Sequence, residues 1–145
     1  MPDSQANPKI FTLAEANALL PQVRLALGQV RHAITQVLAH EARVDALELL
    51  DGGADSQDGH ETAPPPTVAR ELTLLEQQQQ ELRAQFEAFE RLGCHLKDLD
   101  AGLVDFYTQQ EGELALLCWH EGEDRIGYWH AVDAGYADRR PIPGA

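Results

Sequence analysis

Two apolar series at heptad spacing, separated by a segment that cannot extend either one, decide most of what this chain can fold into. The first runs Leu13, Ala16, Leu20, Val23, Leu27, Val30, Ile34, Val37, Glu41, Val44, and only Glu41 breaks it. The second runs Val68, Leu72, Leu75, Gln79, Leu82, Phe86, Phe89. Spacing of this kind gathers side chains into one stripe along a helix, and such a stripe needs a partner helix to cover it. Thr12 and Glu15 make a capping box at the start of the first series, with Phe11 placed to staple onto Ala16. Pro21 lacks an amide donor and crowds the preceding turn, which predicts a kink or a restart there. Thr67 is the expected N-cap of the second helix, and Gly93 its stop after Leu92. At 1.5 Å per residue, residues 22–50 span roughly 43 Å and residues 67–92 roughly 39 Å. The match predicts an antiparallel hairpin in which Val44 lies at the Val68 end, Val23 at Phe89, and Gln79 near Ile34 as a polar layer. Residues 1–10 read as a disordered tail, residues 11–93 as the hairpin, and residues 51–66 (DGGADSQDGHETAPPP) as its flexible tip.

After Gly93 the pattern changes to strands. His95–Leu99 alternates weakly, while Val104–Thr108, Leu114–His120 and Arg125–His130 are stronger runs. Glu111-Gly112 and Gly122-Glu123 are the expected tight turns, giving a three-stranded antiparallel meander; residues 131–145 read as coil. The turns set the pairing: Asp105 opposite Cys118, Phe106 opposite Leu117, Cys118 opposite Gly127 and His120 opposite Arg125. Side chains directly opposite share a face. One face then collects Val104, Phe106, Leu117, Trp119, Ile126, Tyr128 and His130, a core face for the helices to cover. The other collects Asp105, Tyr107, Leu116, Cys118, His120, Arg125, Gly127 and Trp129. A slip of one residue would exchange these assignments.

This mixed face has three readings. It is the solvated side of an amphipathic sheet; or a binding surface in which Tyr107 and Trp129 flank Arg125 with Gly127 leaving a dent; or a reactive site in which Cys118, His120 and Asp105 act as nucleophile, base and orienting group. The same residues, with His95, are candidate ligands for Zn²⁺, although a single Cys-x-His pair is a weak signature. No H-E-x-x-H, phosphate-cradling glycine loop or G-x-S-x-G elbow occurs in the sequence.

Charge narrows the partners. Eleven Lys and Arg stand against 24 Asp and Glu, for a net charge of −13. Nucleic-acid binding and docking on anionic membranes both need clustered cations, so neither is expected; a basic protein partner fits. No run approaches the roughly 20 apolar residues of a membrane span. Cys94 and Cys118 are far from zinc-knuckle spacing, and a cytoplasmic chain with reduced thiols is the expectation.

Four segments resemble one family. FTLAEANALLPQVR (11–24), KDLDAGLVDF (97–106), CWHEGEDRIGYWH (118–130) and GYADRRPI (135–142) are similar to bacterial proteins grouped as domain of unknown function 2203. The resemblance covers nearly the whole chain outside 51–66 and singles out Asp105, Cys118, Trp119, Gly127, Trp129, His130 and Arg139 or Arg140. It implies no catalytic role for any of them. The sequence therefore predicts an α+β domain, with the helical hairpin of 11–93 packed on a meander and coil formed by 94–145. The expected function is a binding or interaction module, self-associating as a homodimer to cover spare apolar stripe, with Tyr107, Arg125, Gly127, Trp129 and Arg139 as its contact residues. The alternatives are a small thiol- or metal-dependent enzyme centred on Cys118, His120 and Asp105, and a structural coiled-coil adaptor.

Overall fold

The computed structural model describes residues 9–50 and 63–145, so the expectations for the tip and for most of the N-terminal tail lie outside the described residues. The fold is α+β. Helix α1 (Leu13–Leu50) and helix α2 (Pro66–Arg91) are followed by strands β1 (His95–Asp98), β2 (Leu103–Gln110), β3 (Glu113–His120), β4 (Tyr128–Ala131) and β5 (Arg140–Pro141). A short 3₁₀ turn, Tyr136–Asp138, precedes β5. The strands form one antiparallel sheet in sequence order, so the meander has five strands rather than three. The two additions are short edge strands of four and two residues, too brief to carry the alternation by which a strand is read from sequence.

Most local signals at the element ends are realised, but α2 begins at Pro66, so Thr67 lies within the helix and is not its N-cap. The Thr12 amide donates to Glu15 Oε1 at 2.8 Å and the Glu15 amide to Thr12 Oγ1 at 3.1 Å, a reciprocal capping box. Gly93 ends α2 at φ +94°, where its amide donates to the Glu90 carbonyl. Glu111 and Gly112 both take positive φ, the two-residue hairpin geometry that suits the strand twist. Helix α1 does not restart at Pro21 but runs through it, with the ring on the exposed side.

Contacts divide the chain into two compact units, residues 1–28 with 87–145 and residues 29–86. In the first, the leading turns of α1 and the end of α2 cover one face of the sheet. Phe11, Ala16, Leu20, Val23, Leu27 and Phe89 pack with Val104, Phe106, Leu117, Trp119 and Ile126, all of them buried. Phe11 meets Phe106 edge to face at 5.3 Å between ring centroids. The Asn17 carboxamide accepts the Ile126 amide, and Arg24 donates to the carbonyls of Glu123 and Asp124.

In the second unit the seam departs from the sequence expectation. Val30, Ala33, Val37, His40 and Val44 are the buried positions of α1, and Glu41 is exposed. On α2 the covered or half-covered positions are Val68, Ala69, Glu71, Leu74, Leu75, Gln78, Leu82 and Gln85, while Leu72, Gln79 and Phe86 face solvent. An undistorted helix advances 3.6 residues per turn, so a seam can shift by one residue along its length. The polar layer is accordingly His40 with Glu71, not Gln79 near Ile34: Nδ1 and Oε1 lie 2.5 Å apart, and Arg43 Nη1 stands 3.7 Å from the same oxygen. Both side chains are about nine-tenths covered, so removing one partner strands the other. Glu71→Ala is expected to lower stability by about 1–3 kcal/mol in urea denaturation. The double variant His40→Leu/Glu71→Leu is expected to regain most of that loss, because a buried polar pair replaced at both partners by apolar groups leaves no group unsatisfied.

Candidate functional site

The register of β4 on β3 decides which residues meet on the outer face of the sheet. Between the two strands the chain does not make a two-residue turn. The Glu123 amide donates to the His120 carbonyl, and the following residues then make a detour that buries Ile126 in the core. This consumes one more residue than the expected Gly122-Glu123 turn. Cys118 therefore pairs with Tyr128 instead of Gly127, Leu117 with Trp129, and Leu116 with His130. Every β4 side chain is exchanged between faces. Trp129 packs against the core cluster, and His130 joins Asp105 and Cys118 on the opposite side. The β2–β3 pairing, with Asp105 opposite Cys118, is as the Glu111-Gly112 turn predicts.

Asp105, Cys118 and His130 are all buried, and one ligand atom from each lies within 4.8 Å of the others. His130 Nδ1 is 2.8 Å from the Ala131 carbonyl, an acceptor only, so Nδ1 carries the hydrogen. Nε2 then points at Asp105 Oδ2 across 3.3 Å. In a neutral imidazole that nitrogen offers a lone pair to a carboxylate oxygen. A proton held by either atom, or a metal ion between them, satisfies this contact. Two bonds of 2.0–2.1 Å at a tetrahedral angle separate their donor atoms by about 3.3 Å, which is the spacing here. The Nδ1–H···O=C bond is also the outer contact that holds metal-binding histidines in orientation.

Cys118 is 1 % exposed. Burial, and then the charge of Asp105, push its thiol up to about 11, with Arg139 pulling the other way. A nucleophilic cysteine needs a depressed value and access, and Cys118 has neither. Arg139 donates to Glu123 Oε2 at 2.9 Å and lies over the rings of Tyr128 and Tyr136, at 4.0 and 4.4 Å. It thereby pins the segment after β4 beside the site. That segment, with β1, walls a cavity of about 300 Å³ whose floor is the Asp105, Cys118 and His130 triad. An irregularity in the pairing between Leu96 and Asp98 lets both Lys97 and Asp98 line it.

The other sequence candidates are placed as follows. His120 shares the outer face but stands apart from the triad, edge-on to Tyr136 at 5.8 Å. His95 is exposed and meets Tyr107 edge to face at 4.9 Å; burial and the Lys97 charge lower its pKa, while Asp105 and Glu90 oppose the shift. Arg125 is exposed and Gly127 half-buried, its carbonyl accepting the Ile142 amide. The strand pattern places His130 on the core face and leaves it out of the candidate ligands, although the family resemblance singles it out without a role. Its even spacing from Tyr128 carries the geometric signal, legible only once Tyr128 is known to pair with Cys118.

The chain matches the model of the uncharacterized conserved protein family DUF2203 over residues 9–142. It belongs to that family. Neither a search of curated proteins nor a search of solved structures finds a match.

The raised thiols fix a pH dependence. A thiol held neutral in the fold contributes stability that is present below its ordinary value of 9.0 and is lost as pH rises through the folded value. For Cys118 that value is about 11, and for Cys94, which burial raises most, about 12. In the metal-free protein the unfolding midpoint is expected to fall as pH climbs from about 9 towards 11, and to fall less in Cys118→Ala. In the native protein iodoacetamide is expected to modify Cys118 only in that alkaline range. Labelling at neutral pH as fast as in urea would contradict the burial described.

Proposed function

We propose that this protein is a metal-binding module that holds a borderline transition-metal ion, Zn²⁺ foremost, between Asp105, Cys118 and His130 at the floor of its sheet pocket. The observation that carries the reading is the His130–Asp105 geometry: a nitrogen whose partner bond fixes the tautomer, facing a buried carboxylate oxygen at 3.3 Å. A thiolate, an imidazole and a carboxylate together suit Zn²⁺ or Co²⁺ better than the hard cations Mg²⁺ and Ca²⁺, which select oxygen donors. The same ion removes the objection raised by the Cys118 thiol, because a coordinated thiol is deprotonated by the metal charge itself. Three protein ligands leave one position of a tetrahedral ion for water or a bound molecule, and the cavity stands beside them.

A thiol-enzyme reading centred on Cys118, His120 and Asp105 is less well supported, since His120 lies outside the triad and Cys118 is covered. Self-association belongs to the same proposal. Leu38, Leu72 and Phe86 expose 59, 38 and 36 % of their surface in the 29–86 unit, apolar area that a second copy would cover. Static light scattering at tens of micromolar is expected to give twice the monomer mass, and a monomer removes the dimer.

The metal reading is tested by titrating metal-free protein with Co²⁺. A thiolate-to-cobalt charge-transfer band in the near ultraviolet is expected, saturating at one ion per chain. Cys118→Ala abolishes the band, and Asp105→Asn and His130→Gln weaken binding by more than the 10–100-fold typical of outer-contact losses. His120→Gln leaves it intact. A wild-type protein that shows no such band ends the proposal.

A further inference from the structure

We infer that the pocket takes a small monocarboxylate with a compact apolar body, its carboxylate completing the coordination of the ion and its body lying against the cavity wall. This rests on the metal reading above and names the ligand class of the same site. Beside the triad, Leu103, Leu116, Val132, Ala134 and Tyr136 give the cavity apolar lining. A cavity of about 300 Å³ is at the low end of small-molecule sites, so the body is short.

Charge selects the head group. Asp105 and the Cys118 thiolate balance the double charge of the ion, and Arg139 is already paired with Glu123. Lys97 is the cation left lining the cavity among the described residues, which favours an anion. Asp98 lines it too, with Oδ1 accepting the Ala101 amide at 3.0 Å. One cation beside one carboxylate tolerates a single negative charge and disfavours a dianion such as a phosphate monoester.

Calorimetric titration of the full Zn²⁺-loaded chain with acetate, propionate and butyrate tests this. Affinity is expected to rise about fourfold for each added methylene, the increment for one buried CH₂. Val132→Ser is expected to shrink that increment, and Lys97→Gln to weaken all three acids by a common factor. Equal affinities for acetate and butyrate overturn the apolar body, and tighter binding of methyl phosphate than of acetate overturns the monocarboxylate head. Absence of any carboxylate binding to protein that demonstrably holds its ion overturns the inference while leaving the metal centre standing. Failure to load the ion at all overturns the metal reading, and this inference with it.

Discussion

Glu123 holds the connection on which the site depends. Its carboxylate accepts the His120 amide at 2.9 Å and the Arg139 guanidinium at 2.9 Å, and its carbonyl accepts the Trp119 indole at 3.0 Å. One residue thus fastens the end of β3, the strand approaching β5 and the largest core side chain. Charge-assisted bonds in a partly covered setting are the stronger kind, and the Arg139–Glu123 pair is covered to that degree. With Ile126 buried beyond it, the connection admits a single register for β4. That register puts His130, rather than Trp129, beside Asp105 and Cys118.

The sheet consequently has one face that follows the hydrophobic effect and one that does not. Beneath the helices, Trp119, Phe106, Val104 and Ile126 lose essentially all contact with water. On the other side a carboxylate, a thiol and an imidazole are sunk almost as deeply, and removing such groups from water is unfavourable unless each finds a partner. Here they partner one another, and Ala131 and Arg139 complete the shell. Clusters of this kind are concentrated at functional sites, because their alternative occupants, a proton or a cation, have chemical consequences. The His40–Glu71 layer in the 29–86 unit is built otherwise. It is a pair within a heptad seam with Arg43 at its edge, as suits a contact that fixes helix register.

Much of the architecture was legible from short-range chemistry. The capping box at Thr12 and Glu15, the stop at Gly93 and the turn at Glu111-Gly112 each depend on residues within a few positions of one another, so a linear reading reaches them. The Asp105–Cys118 pairing followed from that turn. The heptad stripes predicted two partnered helices, but the one-residue drift that places His40 and Glu71 in the seam reflects helical geometry accumulated over many turns.

The sequence alone determined the class of fold, the start of α1, the end of α2 and the face shared by Asp105 and Cys118, because local hydrogen bonds and side-chain periodicity suffice for these. Only the tertiary structure decided that His130 completes the triad and Trp129 turns inward. That choice rests on Glu123 gripping Arg139 and on Ile126 finding Asn17, contacts between residues 16 and 109 positions apart. Strand side chains alternate with a period of two, so a single residue spent in that connection reverses a whole strand, and nothing within the strand itself records the reversal.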